Sequence, residues 1–175
     1  MEIDLQKFER KDIEQLISWI PSKKFLLQFA GSMYKYPLTS EQLEEDIIKM
    51  ETTKEILMLK AVDKELQETI GHVQLIKMEH LNITVIGRVL VGDEKYRGKG
   101  IGFKIINETL HIAFNELGLK KIYLRVYDFN VAAIKCYEKA GFKVIKKQEN
   151  VEKIDGEYWN ALVMELSYDK YLKFL

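Results

Sequence analysis

The stretch Val89-Leu90-Val91-Gly92-Asp93-Glu94-Lys95-Tyr96-Arg97-Gly98-Lys99-Gly100-Ile101-Gly102 constrains this chain more than any other. It leads out of a strongly apolar strand, residues 82–91, and directly into an amphipathic helix over residues 100–117. That helix carries Ile101, Ile105, Ile106, Leu110, Ala113, Phe114 and Leu117 at helical spacing, and Gly118 closes it. Gly98, Gly100 and Gly102 punctuate the junction. Glycine lets backbone N–H groups approach an anion with no Cβ in the way. A helix N-terminus adds unpaired donors and partial positive charge. Together these features form a phosphate cradle, with Arg97 and Lys99 placing two cations beside it.

The spacing narrows the ligand. The dinucleotide pattern GxGxxG fails, because Phe103 stands where the last glycine belongs. The nucleotide-triphosphate pattern GxxxxGK[ST] has no match. Taken alone, the glycines also fit a turn that binds nothing.

The remaining chain reads as one mixed α/β layered domain spanning residues 1–175. Apolar spacing predicts helices over 10–20, stopped by Pro21, and over 24–32, closing near Gly31. Tyr36-Pro37-Leu38 reads as a turn. Thr39 with Gln42 fits a capping box for a helix over 40–50. Strands are expected over 55–62 and 68–78, joined as a hairpin by Asp63-Lys64-Glu65. Gly87 within strand 82–91 signals a bulge or a close backbone approach. Strand 121–127, a helix over 130–140 and strands 142–149 and 159–167 follow, the last two joined by a polar loop containing Asp155-Gly156. The aromatic tail 168–175 is expected to dock on its own core; the other option is a second copy of the chain, a homodimer.

Composition removes several classes. Lys plus Arg equals Asp plus Glu at 27 each, so nucleic-acid binding by bulk electrostatics is not expected. Cys136 is the one cysteine, which excludes an intrachain disulfide and a CxxC metal site. The histidines (His72, His80, His111) are scattered, and no metal is expected. No stretch approaches the ~20 apolar residues of a membrane helix, and the acidic start Met1-Glu2-Ile3-Asp4 is not a signal peptide. A reducing, cytoplasmic setting is the expectation.

A second motif decides between the readings of the glycine loop. Arg97-x-x-Gly100-x-Gly102 is followed, one helix and one strand later, by Asn130-x-x-Ala133-x-x-x-Tyr137-x-x-x-Gly141-Phe142. These two runs, in this order, resemble the paired signatures of the GNAT N-acetyltransferases. The resemblance covers residues 55–167 well and residues 10–50 in outline. Around Trp19 and Tyr36-Pro37-Leu38 the chain is similar to the subgroup of ribosomal-protein N-terminal and small-amine acetyltransferases.

The resemblance implies a mixed, mostly antiparallel central sheet flanked by helices, with acceptor-side helices in 1–50. It implies acetyl-CoA as cosubstrate, its pyrophosphate on the amides of Arg97, Gly98, Lys99, Gly100, Ile101, Gly102 and Phe103. The pantetheine arm would pair with Val89, Leu90 and Val91. Asn130, with Ala133 in the same signature, would hold that arm. Tyr137 would protonate the departing thiolate; a phenol suits this because it stays protonated at neutral pH. The acceptor would be a small-molecule amine or a peptide N-terminus. The competing reading is an acyl-CoA-binding sensor without catalysis.

Proton removal from the amine is less well marked. Amines like that of lysine have a pKa near ~10.4, and residues 82–91 contain no carboxylate. Glu79, His72 and His80 are the nearby alternatives to deprotonation through water. Cys136 has no basic partner in the sequence and reads as packing. His111 reads as structural. Asp12, Glu14, Glu41, Glu44, Glu45 and Asp46 read mostly as solvated helix faces.

Overall fold

The computed structural model describes residues 1–173 of the chain. Strand β1 (Ile3–Lys7) precedes three short helices, α1 (Ile13–Ser18), α2 (Lys23–Ala30) and α3 (Ser40–Thr52). Strands β2 (Ile56–Asp63), β3 (Thr69–Met78) and β4 (Ile83–Val91) form a meander. Helix α4 (Ile101–His111) runs into a π-turn at Ile112–Glu116, then come β5 (Lys121–Tyr127) and α5 (Val131–Lys139). The chain ends with the hairpin of β6 (Lys143–Ile154) and β7 (Glu157–Ser167) and the one-turn helix α6 (Tyr168–Tyr171). The sheet order is β1-β2-β3-β4-β5-β7-β6. Every neighbouring pair is antiparallel except β4 and β5.

Side-chain alternation gives the sheet two different faces. On one, Leu59, Ala61, Val73, Leu75, Ile122, Leu124 and Val126 pack under α4, whose Ile101, Ile105, Ile106 and Leu110 are buried. On the other, Met58 and Leu90 meet Leu16, Leu26, Leu43 and Ile47 from α1–α3. This second face also holds charge. Lys60 of β2 pairs with Asp12 at 2.9 Å, and Arg88 of β4 pairs with Asp46 of α3 at 2.9 Å, all four side chains less than one-tenth exposed. Asp12 and Asp46, expected on solvated faces, are therefore buried ion-pair partners. Sequence reading misses them because their partners lie 48 and 42 residues away.

Three local expectations change in detail. The capping box at Thr39 does not form: Thr39 is the N-cap without a side-chain cap bond. The Gln42 amide instead reaches back, donating to the carbonyls of Lys35 and Pro37 and accepting from the Lys35 N–H. The polar loop between the last strands shrinks to Asp155-Gly156, both at positive φ, the geometry of a tight two-residue hairpin turn. Strand β6, expected over 142–149, runs on to Ile154; it is the sheet edge and exposed along most of its length, so no hydrophobic alternation marks its end. The tail docks on its own core through Tyr168 and Tyr171, which pack against Phe114, while Leu172 and Lys173 are exposed; residues 174–175 lie outside the described residues.

Candidate active site

The site begins with a defect in β4. His72 pairs with Leu90 and Gln74 with Gly87, so Arg88 and Val89 both stand opposite Val73. This is a β-bulge, one residue past the expected Gly87, and Arg88 sits at φ +52°. A non-glycine residue there is uncommon. Its side chain anchors it: the guanidinium donates to Asp46 and Gln74 and lies 4.5 Å from the Tyr34 ring centre. A bulge bends its strand, and β4 leaves β5 at this point. Only Val85↔Tyr123 and Ile86↔Leu124 pair across them. Beyond, the two strands diverge and leave a split in the sheet.

Val89 and Val91 line this split. The Gly92 N–H donates to Ile70 on β3, so by strand alternation the backbone groups of Val91 and Val89 turn the other way, toward the gap. Leu90 points instead into the core beneath α1–α3. A Cβ on Gly92 would fall 2.2 Å from the Trp19 indole. Trp19 therefore lies flat on the exit of β4, a contact no sequence pattern announced.

The glycine loop follows. Gly98 and Gly100 sit at φ +71° and +77°, and a Cβ on either would meet nothing within 4 Å. Glycine is required there for conformation, with open space above the loop. Gly102 has ordinary φ and a roomy Cβ position, 3.8 Å from Val91 and 3.9 Å from the Cys136 sulfur. Among the described residues none of the amides of Gly98, Lys99, Gly100, Ile101, Gly102 or Phe103 donates to a protein acceptor. Arg97 departs from the expectation. Its N–H bonds to Glu94 O, and its guanidinium folds back onto the carbonyls of Val91 and Gly92. It ties the loop to β4, which leaves the exposed Lys99, among the described residues, as the loop cation without a partner.

Helix α5 supplies the opposite wall. Asn130 lies outside the helix as its N-cap, its side-chain oxygen accepting from the Ala133 N–H at 3.3 Å. As a cap it lies off the helix, so the seven-residue spacing to Tyr137 does not place the two on one helical face. Its amide NH2 stays available as a donor. Tyr137 packs on Phe142 and on the same core cluster as Val89 and Val91. Burial first, and then neighbouring Cys136, raise its pKa above the ordinary phenol value. Burial also pushes the Cys136 thiol up, against a smaller opposing effect of Lys139. Cys136 is thus a thiol packed near α4, as expected.

The suggested bases separate clearly. His72 is buried between Phe8 and Phe29, and burial, with the nearby Arg88 charge, holds its pKa down to about 3. Arg88 donates to the Gln74 carbonyl oxygen, so the Gln74 NH2 faces His72 Nε2 at 3.2 Å. That places the imidazole proton on Nδ1, which has no partner. This neutral ring is no base at physiological pH. Glu79 and His80 sit at the β3–β4 turn, the end of β4 away from the split, with Glu79 paired to Lys77. His111 is on the surface beside Glu116.

Sequence reading also missed a polar group on the α1–α3 face of the sheet. Arg125 and Tyr127 of β5, and Glu152 of β6, converge on the end of α2. A Cβ on Gly31 would lie 3.4 Å from Arg125 Nη2, 3.8 Å from Tyr127 Oη and 4.0 Å from Glu152 Oε1. Alternation along β5 puts Arg125 and Tyr127 opposite the buried Leu124 and Val126, but sequence alone does not bring Glu152 to them.

The profile of the acetyltransferase (GNAT) family matches residues 18–142. The chain belongs to that family. Among curated proteins it is 32% identical over 113 residues to spermidine N(1)-acetyltransferase of Vibrio cholerae, covering 63% of this chain and 64% of that protein. It is 31% identical over 105 residues to the Escherichia coli K12 protein of the same name, covering 60% and 56%. The chain thus spans about three-fifths of the curated relatives it matches. Among solved structures, a chimera of the Vibrio cholerae spermidine N-acetyltransferase superposes at TM-score 0.82 with 25% identity, covering 98% and 99% of the two chains. The Vibrio cholerae enzyme in complex with CoA and spermine superposes at 0.83 with 24% identity, covering 98% of each. The GNAT fold accordingly extends over nearly the whole chain, including the helices α1–α3.

Proposed function

We propose that this chain is an acyltransferase that moves the acetyl group of acetyl-CoA to a primary amine by direct attack in a ternary complex. One observation carries the reading: the split between β4 and β5 opens beside a run of unpaired amides at the start of α4. An extended pantetheine arm can pair with the edge of β4 at Val89 and at the N–H of Val91, while the amides from Gly98 to Phe103 receive the pyrophosphate. Lys99 adds the cation, and Arg97 keeps the loop in place. Asn130 can donate its free NH2 to the arm.

In this reading the uncharged amine attacks the thioester carbonyl carbon, the nitrogen gives up its proton to water, the C–S bond breaks and sulfur leaves as thiolate; the Tyr137 proton spent on that thiolate is replaced from solvent. Backbone donors on the β4 edge polarise the carbonyl, which can be a large contribution in acyl transfer. Tyr137 is the acid. Its raised pKa keeps the phenol protonated at every physiological pH, so it donates a hydrogen bond to the thiolate and completes the transfer as the thiol departs. The single thiol Cys136 stays outside the chemistry, as suits a reducing cytoplasm. The sensor reading rests on the missing carboxylate of β4; Tyr137 speaks against it. The relatives' names make a small amine the acceptor class to test first.

The test is acetyl-CoA-dependent release of free thiol over a panel of amines, with acetyl-CoA binding followed by calorimetry. Tyr137→Phe is expected to lower kcat by about 10²- to 10⁴-fold and to leave acetyl-CoA binding intact. Binding without turnover on any amine would favour the sensor. No binding at all would overturn both readings.

A further inference from the structure

The acceptor face carries polar groups whose bonding capacity the chain leaves unfilled. Leu124 is the last β5 residue paired with β4, so Arg125 stands at the mouth of the split. Among the described residues its guanidinium makes no hydrogen bond, and its one ionic contact is Glu152 at 4.0 Å. The Glu152 side chain is 17% exposed and likewise accepts no hydrogen bond. The Tyr127 hydroxyl beside them is buried and unpartnered. So is the side-chain oxygen of Gln148, which lines an open depression of about 660 Å³ with Arg125, Lys146, Lys147, Glu149 and Val151. Buried polar atoms nearly always have partners; of the three exceptions among the described residues, Gln148 lines this depression and Tyr127 stands beside Arg125.

The depression is itself built. Between Gln148↔Ala161 and Glu152↔Trp159, β6 has three residues where β7 has one, Asn160. Asn160 holds this bulge: its oxygen accepts from the Asn150 N–H and its NH2 donates to Asp128. The bulge sets Glu152 against Arg125 across β7.

The geometry points to an acceptor that is a zwitterion, an amino-acid-like molecule carrying a carboxylate a few bonds from its ammonium. Arg125 receives the carboxylate, for which its planar fork is suited, and Lys146 adds positive charge. Glu152 and the hydroxyl of Tyr127 receive the ammonium. The Arg125–Glu152 pair, 4.0 Å apart, offers one charge for each end of such a guest. A polyamine finds only half of it, because Arg125 repels a second cation. This inference rests on the acetyltransfer reading and deepens it.

The test uses the full chain, acetyl-CoA and matched amines: lysine against 1,5-diaminopentane, which differ only in the carboxylate, leucine against leucinamide, and spermidine. In the wild type, kcat/KM for each carboxylate-bearing member is expected to exceed that of its partner by about tenfold to a hundredfold, the worth of a charge-assisted hydrogen bond. Arg125→Gln, at a half-exposed position, should erase that ratio mainly through KM of the acceptor, with acetyl-CoA affinity unchanged, and Arg125→Lys should restore part of it. Preference for spermidine or 1,5-diaminopentane in the wild type overturns the inference. Equal losses for both members of each pair in Arg125→Gln do so too. Silence of every carboxylate-bearing amine, with acetyl-CoA still bound, also overturns it and leaves acetyltransfer standing if another amine reacts. Failure to bind acetyl-CoA removes the acetyltransfer reading itself.

Discussion

The proposed donor side of the molecule, where β4 runs into α4, is made almost entirely of backbone. The proposed acceptor side, where α1–α3 and the β6–β7 tip meet the sheet, is made of charge pairs, two of them buried. Donor-side groups are amides of consecutive residues, Gly98 to Phe103, together with the edge of one strand. Acceptor-side groups come from distant parts of the chain: Asp46 with Arg88, Asp12 with Lys60, Glu152 with Arg125. A site made of backbone tolerates many side chains but needs a few special conformations. A site made of charge pairs fails when one partner is lost.

The largest effect expected is chemical: Tyr137→Phe should cost about 10²- to 10⁴-fold in kcat with unfolding midpoint little changed, and an unaltered kcat would break the donor-side account. Next, Asp46→Ala strands the buried Arg88 guanidinium and should destabilise by about 3–5 kcal/mol in denaturant titration. Glu51→Ala removes an exposed partner of Arg10 and should barely move the midpoint; equal effects would erase the contrast between buried and surface pairs.

Acid offers a third handle on the buried face. His72 binds no proton in the fold until pH falls to about 3, whereas in the unfolded chain it does so near ~6.5. The unfolded state therefore holds more protons between these values, and stability rises with pH across that window. Lowering pH from 7 to 5 should cost roughly 2 kcal/mol from this group, and His72→Leu should flatten that slope.

The smallest effects sharpen the glycine loop. Gly100→Ala forces a side chain into positive φ and should cost about 1–2 kcal/mol, with weaker acetyl-CoA binding. Gly102→Ala, two residues on, has ordinary φ and a clear Cβ position and should stay within about 0.5 kcal/mol of wild type. Similar losses at both would mean that the loop needs glycine for ligand approach alone.

What sequence by itself determined about this protein is local. The strand–loop–helix of residues 82–117, the hairpin of β2 and β3, the alternation of β5 and the Asn130-to-Phe142 run were legible because periodicity and turn chemistry act over a few residues. Tertiary structure alone decided the rest. It moved the bulge from Gly87 to Arg88, because a buried carboxylate 42 residues away holds the arginine in a conformation glycine would adopt freely. It turned Arg97 inward onto the end of β4 and made Asn130 a cap. It neutralised His72 by burial, and it gathered Arg125, Tyr127 and Glu152 around Gly31. The physical reason is the same each time: burial and long-range pairing set the state of a polar side chain, and neither is encoded in its neighbours along the chain.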